Sequence, residues 1–334
     1  MSNNRINKIA IVGATGHVGS HIVTELLKAD RHEITAISRH DSKSTPPEGV
    51  KVARVDYSKE DEIVAALRGH DFLIISLGAQ TAPEVHPAIC NAATKAGVKW
   101  IMPNVWGMDP ENTRLIEENV YGSIAKKGIA EAEAAGANYV VLACSFWYEW
   151  SVAAGLNFYG IDIKERKAVF FDDGNQKINT STLQQCGRAV AALLRLPITK
   201  EDPAKPALED WKNKPLYVSS FLVSQRDMLD SIHRALGTTD KDWEIASEPA
   251  VERTNKALAE MQKGNFAGFA QAMYTRFFYK TGDGPYAKEG DGNYEAVHGL
   301  ANEALGLPKE DFDETNKWVV EKKLKDGFVY DVHG

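Results

Sequence analysis

The feature that most limits what this chain can fold into is the string Gly13-Ala14-Thr15-Gly16-His17-Val18-Gly19, set between an apolar β-branched run and an amphipathic stretch. Glycine-rich turns also serve simple packing between strand and helix, so the string alone decides little. Its context decides more. It follows a strand predicted over residues 9–12 and opens a helix predicted over residues 17–29, so free amides at the helix N-terminus would face a pyrophosphate. Gly13 would permit the tight turn, Gly16 would let the backbone approach the phosphates, and Gly19 would let the helix lie close to the strand. Thr15, His17 and Val18 complete the turn, with His17 placed to hydrogen-bond a phosphate.

From there the chain alternates short apolar runs with helical stretches, as parallel βαβ units do. Strands are predicted over residues 9–12, 33–38, 50–55, 72–76, 100–103 and 139–143, and helices over 17–29, 60–68, 83–96 and 113–135. Each strand run is nearly continuous in apolar residues, as strands buried on both faces require. The fold class is therefore α/β, a Rossmann-type doubly wound parallel sheet. Beyond Phe146 the alternation is lost. Residues 167–171, 174–179 and 215–219 read as scattered strands that either extend the sheet or cover its C-terminal edge. Residues 199–213, rich in Pro, Lys, Glu and Asp, read as a solvated surface connection, and residues 281–292 as a Gly-rich loop. The expected division is a dinucleotide-binding domain over residues 1–150 and a smaller α+β substrate-binding part over 151–334, packed on the first.

Composition removes several alternatives. A formal net charge of -7 leaves no broad basic surface for a phosphate backbone, so nucleic acid is a poor partner. Three cysteines, Cys90, Cys144 and Cys186, show neither metal-ligand spacing nor an even count, so no metal site or disulfide framework is expected and a reducing cytoplasm fits best. No apolar run reaches the length of a membrane span, and the polar start does not resemble a signal peptide.

The second strand ends in Ser38-Arg39-His40, and Arg39 lies twenty residues past Gly19, where an acidic residue would hold the ribose 2′-hydroxyl of NAD. An arginine there favours NADP(H), because a guanidinium can fork onto the 2′-phosphate and stack on the adenine. Lys43 is near enough to add a second charge, although it reads equally as a mobile loop lysine. Asp56 and Tyr57 end the third strand and can border the adenine; Ser76, Leu77 and Gly78 end the fourth, near the nicotinamide ribose. Strand ends are where open α/β sheets bind ligands, and each of these residues has a structural reading of equal weight.

These features together resemble the NmrA-like and isoflavone-reductase-like group of atypical short-chain dehydrogenases. The likeness is carried by the Gly13 to Gly19 turn, the Arg39 position, the string Trp100-Ile101-Met102-Pro103-Asn104-Val105-Trp106-Gly107-Met108-Asp109-Pro110, and Gly136-Ala137-Asn138-Tyr139-Val140-Val141-Leu142. Gly187-Arg188-Ala189-Val190-Ala191 and Leu305-Gly306-Leu307-Pro308 extend it. The resemblance implies one of two functions. One is NADPH-dependent reduction of a small aromatic or conjugated metabolite; the other is a catalytically silent NADP sensor that binds a protein partner. It also implies a cofactor contact at Asn104 and, in the catalytic branch, a lysine on the helix after the fifth strand.

Lys126 and Lys127 lie in that region. Short-chain dehydrogenases commonly space Tyr and Lys by four, so that the ammonium stacks beneath the phenol and lowers its pKa. Here Tyr121 and Lys126 are five apart, which rotates the lysine by about 100° on an ideal helix. Counting back from Gly136 puts the family's lysine nearer Ala125. Lys126 is nonetheless the expected polarising or proton-donating group, facing the cleft with Tyr121 near it, and Lys127 is the weaker choice. Trp106, Phe146, Trp147 and Tyr148 are expected either to wall the substrate over the nicotinamide or to form core between the two halves.

Arg39 yields the first test. Arg39→Asp should reverse a preference for NADPH over NADH, since a charge-assisted contact is worth about 1.5–3 kcal/mol, or roughly ten- to a hundredfold in affinity. Titration of the wild-type chain giving equal affinities for the two cofactors would remove Arg39 from the 2′-phosphate site.

Overall fold

The computed structural model describes residues 4–78, 80–280 and 284–327, and in it alternate residues of one sheet feed two separate cores. The elements run in the order β1 (Lys8–Val12), α1 (His17–Ala29), β2 (Glu33–Arg39), β3 (Val50–Val55), α2 (Glu60–Leu67), β4 (Phe72–Ile75), α3 (Val85–Lys95), β5 (Trp100–Met102), α4 (Thr113–Glu118), α5 (Gly122–Ala134) and β6 (Asn138–Ala143). The second half continues with β7 (Phe146–Trp147), α6 (Tyr148–Ala153), β8 (Ile161–Asp162), β9 (Lys167–Phe171), β10 (Ile178–Ser181), α7 (Leu183–Arg195), β11 (Lys214–Tyr217), β12 (Phe221–Val223) and α8 (Gln225–Leu236). It closes with β13 (Glu244–Glu248), α9 (Ala250–Gln262), α10 (Gly268–Phe277), α11 (Glu295–His298) and α12 (Phe312–Asp326).

The main sheet has seven strands in the order β11-β6-β5-β4-β1-β2-β3, every neighbouring pair parallel. Ile9, Ile11, Phe72 and Ile74 point to one face, where α1 and α7 cover them; Ala10, Val12, Leu73 and Ile75 point to the other, beneath α2, α3 and α5. Period-two alternation with apolar residues at both phases is what a sheet covered on both sides demands. The segment expected near residues 215–219 is β11, and it extends this sheet beside β6. Two three-stranded sheets, β12-β10-β7 and β13-β9-β8, lie outside it.

The sequence places one helix over residues 113–135, whereas the structure has two, α4 and α5. The break is made by Asn119, whose Oδ1 accepts the Tyr121 amide at 2.9 Å while its Nδ2 donates to the Met273 carbonyl at 2.9 Å. Gly122 then packs so tightly that a Cβ would lie 1.8 Å from the Ile116 carbonyl oxygen. The periodicity carried straight through because the partner that breaks the helix is far away in sequence. The Gly-rich loop read over residues 281–292 falls partly outside the described residues, at positions 281–283. Among the described residues no helix is long and apolar enough to cross a membrane.

The C-terminal half is locked to the first by buried charge. The Arg276 guanidinium, 1% exposed, pairs with Asp291 at 2.7 Å and reaches Glu118, at the end of α4, at 2.9 Å. Asn112, which caps α4 through the Leu115 amide at 3.0 Å, also donates to Asp291. Removing one member of such a pair strands the other without water. Arg276→Met should therefore lower unfolding stability by about 3–5 kcal/mol in a urea titration; a loss below about 1 kcal/mol would show that water reaches Asp291.

Candidate cofactor site

β1 enters the phosphate turn at Gly13, which takes φ +78°, and any Cβ there would lie 1.8 Å from the Ser76 carbonyl oxygen at the end of β4. The Gly16 amide donates to the Gly13 carbonyl at 3.0 Å and Gly16 serves as N-cap of α1, with no side chain capping the helix. Gly19 lies against the same carbonyl: a Cβ would be 2.0 Å from the Gly13 oxygen. The turn is thus a cradle of backbone at the positive end of a helix, which suits a pyrophosphate. Thr15 is exposed at its tip, His17 half-buried, and Val18 buried in the core under α1.

Arg39 ends β2 with its side chain 68% exposed and only a loose contact, 3.5 Å, to Asp41. Lys43 is exposed on the loop that follows. Tyr57 leans over β2 and donates its hydroxyl to the Ile37 carbonyl at 3.2 Å; burial pushes its pKa up to about 12 against the opposing Arg39 charge. The Asp56 carboxylate accepts from the Ser58 hydroxyl at 2.7 Å and the Ser58 amide at 2.9 Å, bonds that hold its pKa below the usual carboxylate value. Asp56 therefore shapes the turn after β3.

At the other end of the cleft, Asn104 grips the β4 exit by both ends of its amide. Its Oδ1 accepts the Leu77 amide at 2.9 Å and its Nδ2 donates to the Leu77 carbonyl at 3.3 Å. The Asn104 backbone N–H donates to His86 Nε2 at 3.1 Å, so that nitrogen carries no proton and Nδ1 donates to Glu131 at 2.6 Å. His86 and Glu131 are supports that the sequence left unplaced. Ser76 is fixed through its amide on the Val12 carbonyl, and Gly78 is exposed at the mouth. Trp106 lies across the strand ends with its Nε1 donating to the Ile75 carbonyl at 3.1 Å.

The expected acid–base residues separate. Tyr121 precedes α5, and burial pushes its pKa up to about 12 against a hydrogen bond from the Trp106 backbone. Ala125 is the inward residue of the next turn, while Lys126 is exposed, and Lys127 is exposed and paired with Glu131 at 3.6 Å. The four aromatic residues also divide. Trp106 and Trp147 are half-buried at the C-terminal ends of the strands, the Trp147 ring lying 6.5 Å from that of His17. Phe146, half-buried, stacks on Tyr274 at 3.8 Å, and Tyr148 is wholly buried with its hydroxyl donating to Asn316 at 2.7 Å; both pack against the second half. The strand pleat sends neighbours to opposite faces, which sequence proximity could not reveal.

Two further polar groups lie at the C-terminal ends of the strands. Asp109, 1% exposed, accepts from the Tyr217 hydroxyl at 2.7 Å and from Tyr286, and lies 3.2 Å from His298, whose ring stacks on Tyr217. This joins the loop after β5 to β11 and α11. Just beyond β6, Ser145 takes φ +54°, and Ser145 Oγ, Trp147 Nε1 and Glu149 Oε2 are buried without a hydrogen-bond partner among the described residues.

Residues 13–150 match the NAD(P)H-binding family model, so this part of the chain is an NAD(P)H-binding domain. The chain is 28% identical over 312 residues to oxidoreductase aprR of Aspergillus flavus, covering 92% of this chain and 96% of that protein. In fold it is similar to AtPrR2 with NADP+ and (+)pinoresinol (TM-score 0.67, 20% identity, 94% of this chain and 99% of that one). A crystal structure of isoflavone reductase is comparably similar (TM-score 0.66, 23% identity, 94% and 98%). The resemblance read from the sequence is thus met by relatives and by fold.

Burial raises the Glu149 pKa to about 7, only partly offset by its own amide and the Leu183 amide, which donates to Oε1 at 2.8 Å. The native state then binds more protons than the unfolded chain between the ordinary carboxylate value of 4.5 and about 7. Stability should fall as pH rises through that window, by about 2–3 kcal/mol from this group. Glu149→Gln should remove the decline, so the variant gains on wild type from pH 5 to pH 8 in thermal melts. Parallel curves for the two proteins would show that Glu149 ionises normally.

Proposed function

We propose that this chain is an oxidoreductase that uses NADPH to reduce a small aromatic or conjugated molecule. The observation that carries the reading is the union, in one chain, of an uncapped glycine cradle at α1 with an exposed, loosely paired arginine at the end of β2. A relative aligned along nearly the whole chain is named an oxidoreductase. NADPH, when bound, supplies a hydride.

The chain's own residues do the rest. The α1 amides receive the pyrophosphate, Arg39 and Lys43 the 2′-phosphate, and Tyr57 the adenine side. The Asn104 grip fixes the Leu77 and Gly78 edge, against which the nicotinamide half would rest, and Trp106 and Trp147 screen that edge from water. In this division residues 1–150 hold the cofactor and residues 151–334 close over the substrate. Lys126, with Tyr121, is the group proposed to place a proton on the reduced substrate.

A second reading, a cofactor sensor that binds a protein partner, draws support from the buried Ala125 at the position the family resemblance gives to lysine and from the exposure of Lys126. Turnover separates the two. NADPH consumption should be followed by absorbance with a panel of quinones, conjugated ketones and benzylic ethers. Lys126→Ala should lower turnover by about 10²- to 10⁴-fold with NADPH affinity unchanged. Unaltered turnover removes Lys126 from the chemistry, and tight NADPH binding with no consumption across the panel favours the sensor.

A further inference from the structure

Arg54 is an exposed residue of the sheet's edge strand β3, and nothing in the sequence marks it out. Its Nη1 donates to the Arg39 carbonyl at 3.2 Å and to the Ser42 carbonyl at 2.8 Å. Those two residues open and close the turn that leaves β2, with the Ser42 amide donating back to the Arg39 carbonyl at 3.1 Å. One guanidinium thus ties both ends of the turn that carries the Arg39 side chain.

His40, within the same turn, meets Glu62 on α2 at 2.8 Å. Arg39 has Asp41 as its counter-ion at 3.5 Å, both side chains more than two-thirds exposed, a contact that water screens heavily. A phosphate monoester carries nearly two negative charges and three acceptor oxygens, so it would displace a single loose carboxylate. The Arg54 nitrogens beyond Nη1 have no protein acceptor among the described residues.

We propose that Arg54 is a specificity-determining residue for the 2′-phosphate of the cofactor: it holds the 39–42 turn in the shape that presents the Arg39 guanidinium, and it adds its own positive charge to those of Arg39 and Lys43 beside the same dianion. This rests on the NADPH reading above. A planar guanidinium can bridge two carbonyls and still present donors outward, whereas an ammonium keeps the charge without that fixed fork. Arg54→Gln removes both contributions, and Arg54→Lys removes mainly the bracing.

The test is titration of the purified full chain with NADPH, NADH and 2′,5′-ADP, alongside thermal melts without ligand, for wild type, Arg39→Ala, Arg54→Gln and Arg54→Lys. Arg54→Gln should weaken NADPH and 2′,5′-ADP by about tenfold, leave NADH within about twofold, and shift Tm by less than about 2 °C. Arg54→Lys should fall between it and wild type, and carries the measurement should the glutamine variant fail to fold. Equal weakening of NADPH and NADH would make Arg54 a brace of the edge strand and overturn the proposal. So would an NADPH preference lost in Arg39→Ala but intact in Arg54→Gln, which leaves the NADPH reading standing. A wild-type chain that holds NADPH no more tightly than NADH would overturn that reading, and this proposal with it.

Discussion

The Gly13 carbonyl and the space around it govern this structure. β1 runs into Gly13 at positive φ, the Ser76 carbonyl after β4 fills the place of a Gly13 Cβ, and Gly19 brings α1 down onto the Gly13 oxygen. Backbone meets backbone at both points with no room for a side chain, so the first helix is aimed with its amino end at the strand-order reversal of the sheet. The cofactor cradle and the packing of α1 are the same set of contacts. Any side chain large enough to fill the cradle would also push the helix off the sheet.

From that fixed point the cleft is assembled by supports of different kinds. At the β2–β3 end they are short-range, with Tyr57 on the Ile37 carbonyl and Arg54 across the Arg39 turn, both held by register between neighbouring strands. At the β4–β5 end they are long-range. Asn104 clamps Leu77 and is itself held through His86 to Glu131 on α5. Asp109 gathers hydroxyls from β11 and from beyond α10, and Arg276 ties Asp291 to α4. The β4–β5 end of the cleft therefore depends on the C-terminal chain being folded, whereas the supports at the β2–β3 end all lie at or before Glu62.

Such dependence explains what was legible beforehand. The six predicted strands of the first half fall within about a residue of those observed: five are buried on both faces and leave an apolar run that needs no partner to be recognised, and the largely exposed edge strand β3 still carries Val50, Val52 and Val55. The glycine turn between β1 and α1 and the arginine ending β2 were legible too, being set by spacing along one βαβ unit. The helix break at Asn119 was not, since its partner is the Met273 carbonyl. Neither was the division of the aromatic residues: Trp147 borders the phosphate turn, while Phe146 and Tyr148, its neighbours in sequence, are spent on Tyr274 and Asn316.

What the sequence by itself determined is the local chemistry: a parallel sheet, a glycine cradle at a helix amino end, and a positive charge at the end of the second strand. These follow from hydrogen-bonding geometry and apolar periodicity within about fifty residues of chain. What only the tertiary structure decided is which polar side chains meet. Lys126 is exposed and Ala125 buried because the helix turn is counted from a break that a distant carbonyl makes. Arg54 reaches the Arg39 turn because two strands lie in one register. A buried polar group must find its partner in space, and sequence separation places no limit on where that partner comes from.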